Sequence, residues 1–248
     1  MKVPTFSVVG MRCGDVFWTA NWIRKRYEKV RLRAGRYAFD AWKAVDKATD
    51  LQVEIFEVIE DRPAVDFNDF LRQNDGEPSA KRLVGVWSPT FPYFEPSYPG
   101  RLRDLPPLKD LPDRYVCVHT GSVSRWKNRQ ELLEVSYPYP VVCVGSGGEP
   151  CRRDWIDKRE VSWFDTLRVI WNASLIVCIA SSVLSACMFL KKGPCVVCHF
   201  DSSFFPHVGP LLLGVDLLTP SQTILQRSIN MCSRWTLGLS GWTPQAGQ

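Results

Sequence analysis

Short apolar runs alternate with helical stretches twice along this chain, and a proline-rich segment separates the two sets. In the first set, residues 4–9, Val30–Ala34 and Leu51–Val58 predict strands, with a further strand at Leu83–Trp87. Between them Val16, Ala20, Ile23 and Tyr27 recur at 4-3-4 spacing, the stripe of an amphipathic helix, and Tyr37–Ala48 and Val65–Gln73 predict two more helices. In the second set, Tyr115–His119, Val141–Val144, Leu175–Ile179 and Cys195–Phe200 predict strands. Helices are expected at Arg129–Val135, around Trp155, and at Phe164–Asn172, Val183–Lys191 and Gln222–Arg234. Such alternation builds parallel sheets flanked by helices. Ser88 to Pro112 holds seven prolines, which remove backbone donors and fix φ, so that segment continues neither sheet nor helix. The expectation is an α/β protein of two Rossmann-like domains, residues 1–88 and 113–248, joined by a linker over 89–112. A crevice is expected between the carboxyl edges of their sheets.

Composition narrows the class. With 45% apolar and 12% aromatic residues, 248 residues are ample for packed cores. Apolar runs such as Leu175–Ala180 fall far short of the ~20 residues of a membrane span. The opening Met-Lys-Val-Pro-Thr lacks a signal-peptide core, so a soluble, cytoplasmic protein is expected. Nine cysteines, an odd number scattered singly, read as reduced and mostly buried thiols. Cys195-Val-Val-Cys198-His199 has the spacing of a covalent haem site, but it reads as a buried strand whose alternate residues point to opposite faces. Neither haem nor zinc is expected there. The net charge of +5 is concentrated between Arg24 and Arg36. That cluster reads as a solvated helix end and strand edge, or as a patch for nucleic acid or a lipid phosphate surface.

Four turns carry the chemistry. The first strand runs into Gly14-Asp15-Val16, which places Asp15 where a helix begins, either as its cap or as a reactive carboxylate at a strand's carboxyl edge. In the second half, strands end in Thr120-Gly121-Ser122, in Gly145-Ser146-Gly147-Gly148-Glu149, and in Ala180-Ser181-Ser182. Glycine admits close backbone approach, and free helix N-terminal amides favour phosphate. Three such turns on one sheet edge, with Arg125 and Lys127 beside the first, form a credible diphosphate site. None fits the P-loop or the dinucleotide fingerprint, so ATPase and dehydrogenase chemistry are poor readings. His119 reads as a buried strand-end histidine, and Trp18, Trp22 and Trp126 as core or cleft wall.

In order and spacing these segments resemble the glycosyltransferase family 9, or heptosyltransferase-like, enzymes of the GT-B fold. The resemblance rests on Gly14-Asp15-Val16, His119-Thr120-Gly121-Ser122 with Ser124-Arg125-Trp126-Lys127, Val144-Gly145-Ser146-Gly147-Gly148-Glu149, Trp163-Phe164-Asp165-Thr166-Leu167, Lys192-Gly193-Pro194-Cys195-Val196 and Gly209-Pro210. It implies inverting, metal-independent sugar transfer from a nucleotide-diphosphate donor, with no cofactor and Asp15 as general base. It implies that Thr120, Gly121, Ser122, Arg125, Lys127, Gly145, Ser146, Glu149, Trp163, Thr166, Ser181 and Ser182 hold the donor. Arg12, Gly14 and Trp18 would then lie on the acceptor side. The acceptor is a glycan or lipid, or alternatively a modified base in viral DNA. The chain departs from the family where the donor-binding Asp-x-Gly and His fall at Ala180-Ser181-Ser182 and Ser185, which also fits a nucleotide-sugar binder that has lost activity.

Overall fold

The computed structural model describes residues 3–60, 67–75, 100–121, 130–179, 181–190, 192, 195–199, 212–216 and 225–230. The strand expected at Leu83–Trp87 and the residues Ser122, Arg125, Lys127 and Trp126 lie outside them. The chain divides into two compact units. One comprises Met1–Pro106, Ser162–Trp171 and Ser185–Lys191; the other comprises Pro107–Val161, Asn172–Leu184 and Lys192–Gln248.

The first unit is built on a parallel three-stranded sheet, β1 (Thr5–Val8), β2 (Lys29–Gly35) and β3 (Gln52–Ile59), in the order β1-β2-β3. Alternation decides its faces. Phe6, Val8, Val30, Leu32 and Ala34 are buried, while Thr5, Ser7, Lys29, Arg31 and Arg33 are exposed. The crossovers are α1 (Cys13–Arg24) and α2 (Phe39–Ala48), and α3 (Phe67–Asp75) follows β3. Right-handed crossovers that step the same way put their helices on one face of a sheet.

Helix α1 corrects the expectation of a single apolar stripe: every residue from Val16 to Ile23 is buried. The reason is packing from several sides. Trp22 meets Phe70 of α3 at 5.3 Å, and Phe17 meets Trp163 at 5.2 Å and Phe189 at 5.4 Å. Tyr27 lies beyond the helix end, its ring 5.6 Å from Phe6.

The second unit holds a parallel six-stranded sheet: β4 (Val116–His119), β5 (Val141–Gly145), β6 (Ile156–Arg159), β7 (Leu175–Ile179), β8 (Cys195–His199) and β9 (Leu212–Asp216). The order is β6-β5-β4-β7-β8-β9. Numbered within the unit this is 3-2-1-4-5-6, the order of a Rossmann sheet, with its switch point between β4 and β7. The central strands are buried along their whole lengths, as parallel strands covered on both faces must be. Each fully buried Val or Leu there contributes roughly 1.5–3 kcal/mol relative to exposure. The connecting helices are α4 (Glu131–Glu134), α5 (Trp163–Asn172) and α6 (Ser182–Leu190), and residues 225–230 form α7.

The helix expected around Trp155 is replaced by a turn and strand β6, and β9 is a strand the pattern did not announce. Trp155 packs edge-on against Tyr137 at 5.7 Å and fills the apolar layer itself, so a ten-residue crossover suffices without a helix. The charges of Asp157, Lys158 and Arg159 conceal β6 because the edge position tolerates them. Cys195 and Cys198 are buried on β8, three residues apart and therefore on opposite faces of the sheet. The described cysteines are free thiols, and burial pushes Cys117 and Cys143 far above the ordinary thiol range.

Candidate functional site

In the first unit the carboxyl edge of β1 leads through Gly10, whose φ of +87° suits glycine, into α1. The N-cap position belongs to Arg12, which is exposed, extended and makes no side-chain cap bond. Asp15 is the third helical residue, half-buried, with its amide donating to the Arg12 carbonyl at 3.0 Å. A carboxylate in the first turn is favoured by the helix dipole, by about 0.3–1 kcal/mol. Gly14 is half-buried and Trp18 is buried.

The start of α5 belongs to the same unit. Asp40, in the first turn of α2, accepts the Trp163 amide at 2.7 Å. Ser162 and Asp165 complete a reciprocal cap: the Asp165 amide donates to Ser162 Oγ at 3.1 Å, and that hydroxyl donates back to Asp165 Oδ2 at 2.9 Å. Thr166 is buried. Cys13 points its thiol at the Tyr37 carbonyl, 3.8 Å away; burial, against a lowering contact with Trp163, pushes its pKa up to about 11.

In the second unit, three strand-end turns meet at the switch point. His119, the last residue of β4, has Nδ1 3.0 Å from Ser181 Oγ, at the head of α6 after β7. Its Nε2 lies 3.1 Å from Glu149 Oε2 in the turn after β5. Glu149 Oε1 accepts the Ser146 hydroxyl at 3.1 Å, and Ser181 Oγ accepts the Val183 amide at 3.3 Å. Burial raises the Glu149 carboxyl, but the contacts with His119 and Ser146 outweigh it and hold the group below its ordinary range. Oε2 itself is buried and receives no well-directed hydrogen bond.

The Gly145–Glu149 turn is held from outside as well. Arg159 donates to the Gly147 carbonyl at 3.1 Å and to the Glu149 carbonyl, while pairing with Asp157 at 2.7 Å. Asp157 is thereby lowered to about 2. Glu160 adopts φ +63° and accepts the Gly147 amide on its carboxylate at 3.2 Å. Thr120 is fully buried, and its hydroxyl donates to the Pro150 carbonyl, so it fastens the loop and offers a ligand only backbone.

Thus His119, Gly145, Ser146, Glu149 and Ser181 are brought together, and Trp163 and Thr166 stand in the unit that holds Asp15. The sequence reading missed His119 as a connector, together with Arg159 and Glu160. Its usable signal was Ser146-Gly-Gly-Glu149, a serine and an acid at capping-box spacing beside a strand-end histidine.

Three members of the basic cluster are paired within their own unit. Arg31 pairs with Glu54 at 3.2 Å and Arg33 with Glu57 at 2.8 Å across the β2–β3 pair, and Arg36 pairs with Glu60 just beyond the ends of those strands.

Comparison with protein-family models finds no match, and neither does comparison with curated protein sequences. Solved structures do match. The dodecameric iron-containing heptosyltransferase TibC, in complex with ADP-D-β-D-heptose, superposes with a TM-score of 0.51 at 15% identity. That match covers 85% of this chain, which spans 61% of the TibC chain. A glycosyl transferase family 9 structure from Veillonella parvula superposes with a TM-score of 0.52 at 11% identity, covering 96% of this chain and 97% of that one. The fold is therefore the mixed α/β, parallel-sheet fold of family 9 glycosyltransferase structures. Among the described residues no helix is long and apolar enough to cross a membrane.

Proposed function

We propose that this chain is a cytoplasmic glycosyltransferase that moves a sugar from a nucleotide-diphosphate donor to an acceptor hydroxyl with inversion. The observation that carries the reading is the convergence of three strand-end turns at the switch point of a 3-2-1-4-5-6 sheet, where such sheets bind nucleotides. The shared fold supports it, and so does TibC's bound ADP-heptose.

Asp15 serves as the base. It takes the proton of the acceptor hydroxyl as that oxygen attacks the anomeric carbon and the bond to the diphosphate breaks on the opposite side. The charge that grows on the leaving diphosphate is met by the amides of Thr120–Ser122 and Ser181–Ser182 with Arg125 or Lys127, without a metal. Binding of the donor's base and ribose is assigned to Gly145, Ser146, Glu149, Trp163 and Thr166, and the acceptor side to Arg12, Gly14 and Trp18. The acceptor hydroxyl belongs to a glycan or lipid, with a modified base in viral DNA as the alternative.

The test is a panel of nucleotide sugars, read by thermal shift and by release of nucleoside diphosphate with glycan, lipid and DNA acceptors, with and without EDTA. One donor should stabilise the protein and turn over with a glycan or lipid, unaffected by EDTA. Stabilisation without turnover on any acceptor supports a binder that has lost activity, and no donor response at all overturns the reading.

A further inference from the structure

Two thiols meet beside the Gly145–Glu149 turn. Cys143 lies on β5 in the buried apolar layer with Leu132 and Trp155, and Cys151, just past the turn, packs against that layer from a partly exposed position. Their side chains are in hydrogen-bonding contact. The chain on either side of Cys151 is anchored. The Pro150 carbonyl accepts the Thr120 hydroxyl and lies 4.0 Å from Cys143 Sγ, and Arg152 donates to the Leu133 carbonyl at 3.2 Å. Cys151 Sγ itself stands 3.5 Å from the Arg152 carbonyl. A disulfide needs two such side chains brought together by backbone that need not move, and this pair is held in contact from both sides.

Access separates this pair from the other close one. Cys178 and Cys195 have their sulfurs 3.7 Å apart on β7 and β8, but both are fully buried, out of reach of an oxidant in the folded protein. Cys151 can be reached and Cys143 cannot, which fixes the order of events. Burial and the neighbouring Cys151 push the Cys143 thiol up, while Arg159 pulls it down. Once the Cys151 sulfur is bonded elsewhere its contribution is gone and that of Arg159 remains, so Cys143 is then the better placed to attack.

We propose that Cys143 and Cys151 are a redox modification site, closed to an intramolecular disulfide by a small-molecule disulfide such as oxidised glutathione, and that the bond fastens the Gly145–Glu149 turn. The Cys151 sulfur attacks one sulfur of the oxidant, whose S–S bond breaks, and one glutathione leaves with the Cys151 proton. The Cys143 sulfur then attacks the Cys151 sulfur, the mixed disulfide breaks, and the second glutathione leaves with the Cys143 proton. Two protein thiols are oxidised, and one disulfide is reduced to two thiols. The proposal stands on the thiols alone and is independent of the sugar-transfer reading.

The experiment exposes the whole folded chain to oxidised glutathione, blocks the remaining thiols with iodoacetamide in urea, and digests with trypsin. Cleavage after Arg129 and Arg152 leaves one peptide, residues 130–152, in which Cys143 and Cys151 are the only cysteines. Mass spectrometry should find it unalkylated and lighter than the reduced peptide by a pair of hydrogens. Dithiothreitol before blocking should return both thiols in alkylated form. Tm should rise by about 5–10 °C through closure of so short a loop, and fall back on reduction. In Cys151→Ser the Cys143 thiol should stay open to alkylation in urea, and oxidant should leave Tm unmoved. Recovery of the wild-type peptide with both thiols alkylated, or with glutathione still on Cys151, overturns the proposal, as does a linked pair of such peptides from two chains. A cross-link that leaves Tm unchanged or lowers it overturns the fastening of the turn. Should Cys151→Ser fail to fold, the wild-type peptide map decides alone.

Discussion

Gly145→Ala is the substitution on which the geometry of the switch point bears most heavily. Gly145 has φ +132°, a region open essentially to glycine alone, and forcing a side chain there costs about 1–3 kcal/mol. A methyl group at this position would stand 1.9 Å from Glu149 Oε2 and 2.9 Å from His119 Cδ2. Glu149 must move, and because it is buried its movement breaks the contacts with both Ser146 and His119. Losing a buried, charge-assisted contact adds about 1.5–3 kcal/mol, so the total is about 3–5 kcal/mol. Urea denaturation followed by tryptophan fluorescence reads this directly. At a slope of about 2 kcal/mol/M the midpoint should fall by about 1.5–2.5 M. Gly148→Ala is the control, because nothing lies within 4 Å of its added methyl, and it should stay within about 0.5 kcal/mol of wild type. Equal midpoints for the two variants would refute the argument that Gly145 exists to admit Glu149 against His119.

Other consequences are independent of that turn. Asp40→Ala removes the acceptor of the Trp163 amide and should cost about 1 kcal/mol, or 2–4 °C in Tm, with Asp40→Asn costing less. Cys13, with its pKa pushed up to about 11, should resist iodoacetamide at pH 7.5 in the folded protein and react fully in urea; rapid labelling of native protein contradicts that raised pKa. Asp157 is lowered in the folded state, so the stability from its pairing with Arg159 is present above the ordinary carboxylate range and lost as pH falls from about 4 toward 2. Asp157→Asn should flatten the acid limb of a Tm-against-pH curve over that window, and an unchanged limb removes the pairing from the account.

Much of the fold is legible in the residues. β-Branched runs such as Val141–Val144 and Leu175–Ile179 announce buried parallel strands because nothing polar interrupts them. Strand β6 is hidden because an edge strand needs no apolar alternation, and Ile-Asp-Lys-Arg shows none. Helix α1 is legible as a helix but not as an enclosed one. The rings of Trp163 and Phe189 that cover Phe17 lie more than a hundred residues away, and local periodicity carries no trace of them. The three turns of the candidate site are marked by their glycines and serines. His119 as the link among them is not, since a strand-end histidine looks the same in sequence whether it meets a carboxylate or a wall of valines. The pairing within the basic cluster is hidden for a related reason: Glu54, Glu57 and Glu60 come beside Arg31, Arg33 and Arg36 only once β2 and β3 lie in register.

The most direct test of the central claim pairs wild type with Asp15→Asn. Both are given the nucleotide sugar that stabilises wild type, and both are followed by nucleoside diphosphate release with acceptor and by calorimetric affinity for the donor. Wild type should release nucleoside diphosphate, Asp15→Asn should lose about 10²–10⁴-fold of that rate, and donor affinity should be unchanged between them. Release undiminished in Asp15→Asn would contradict the role given to this carboxylate.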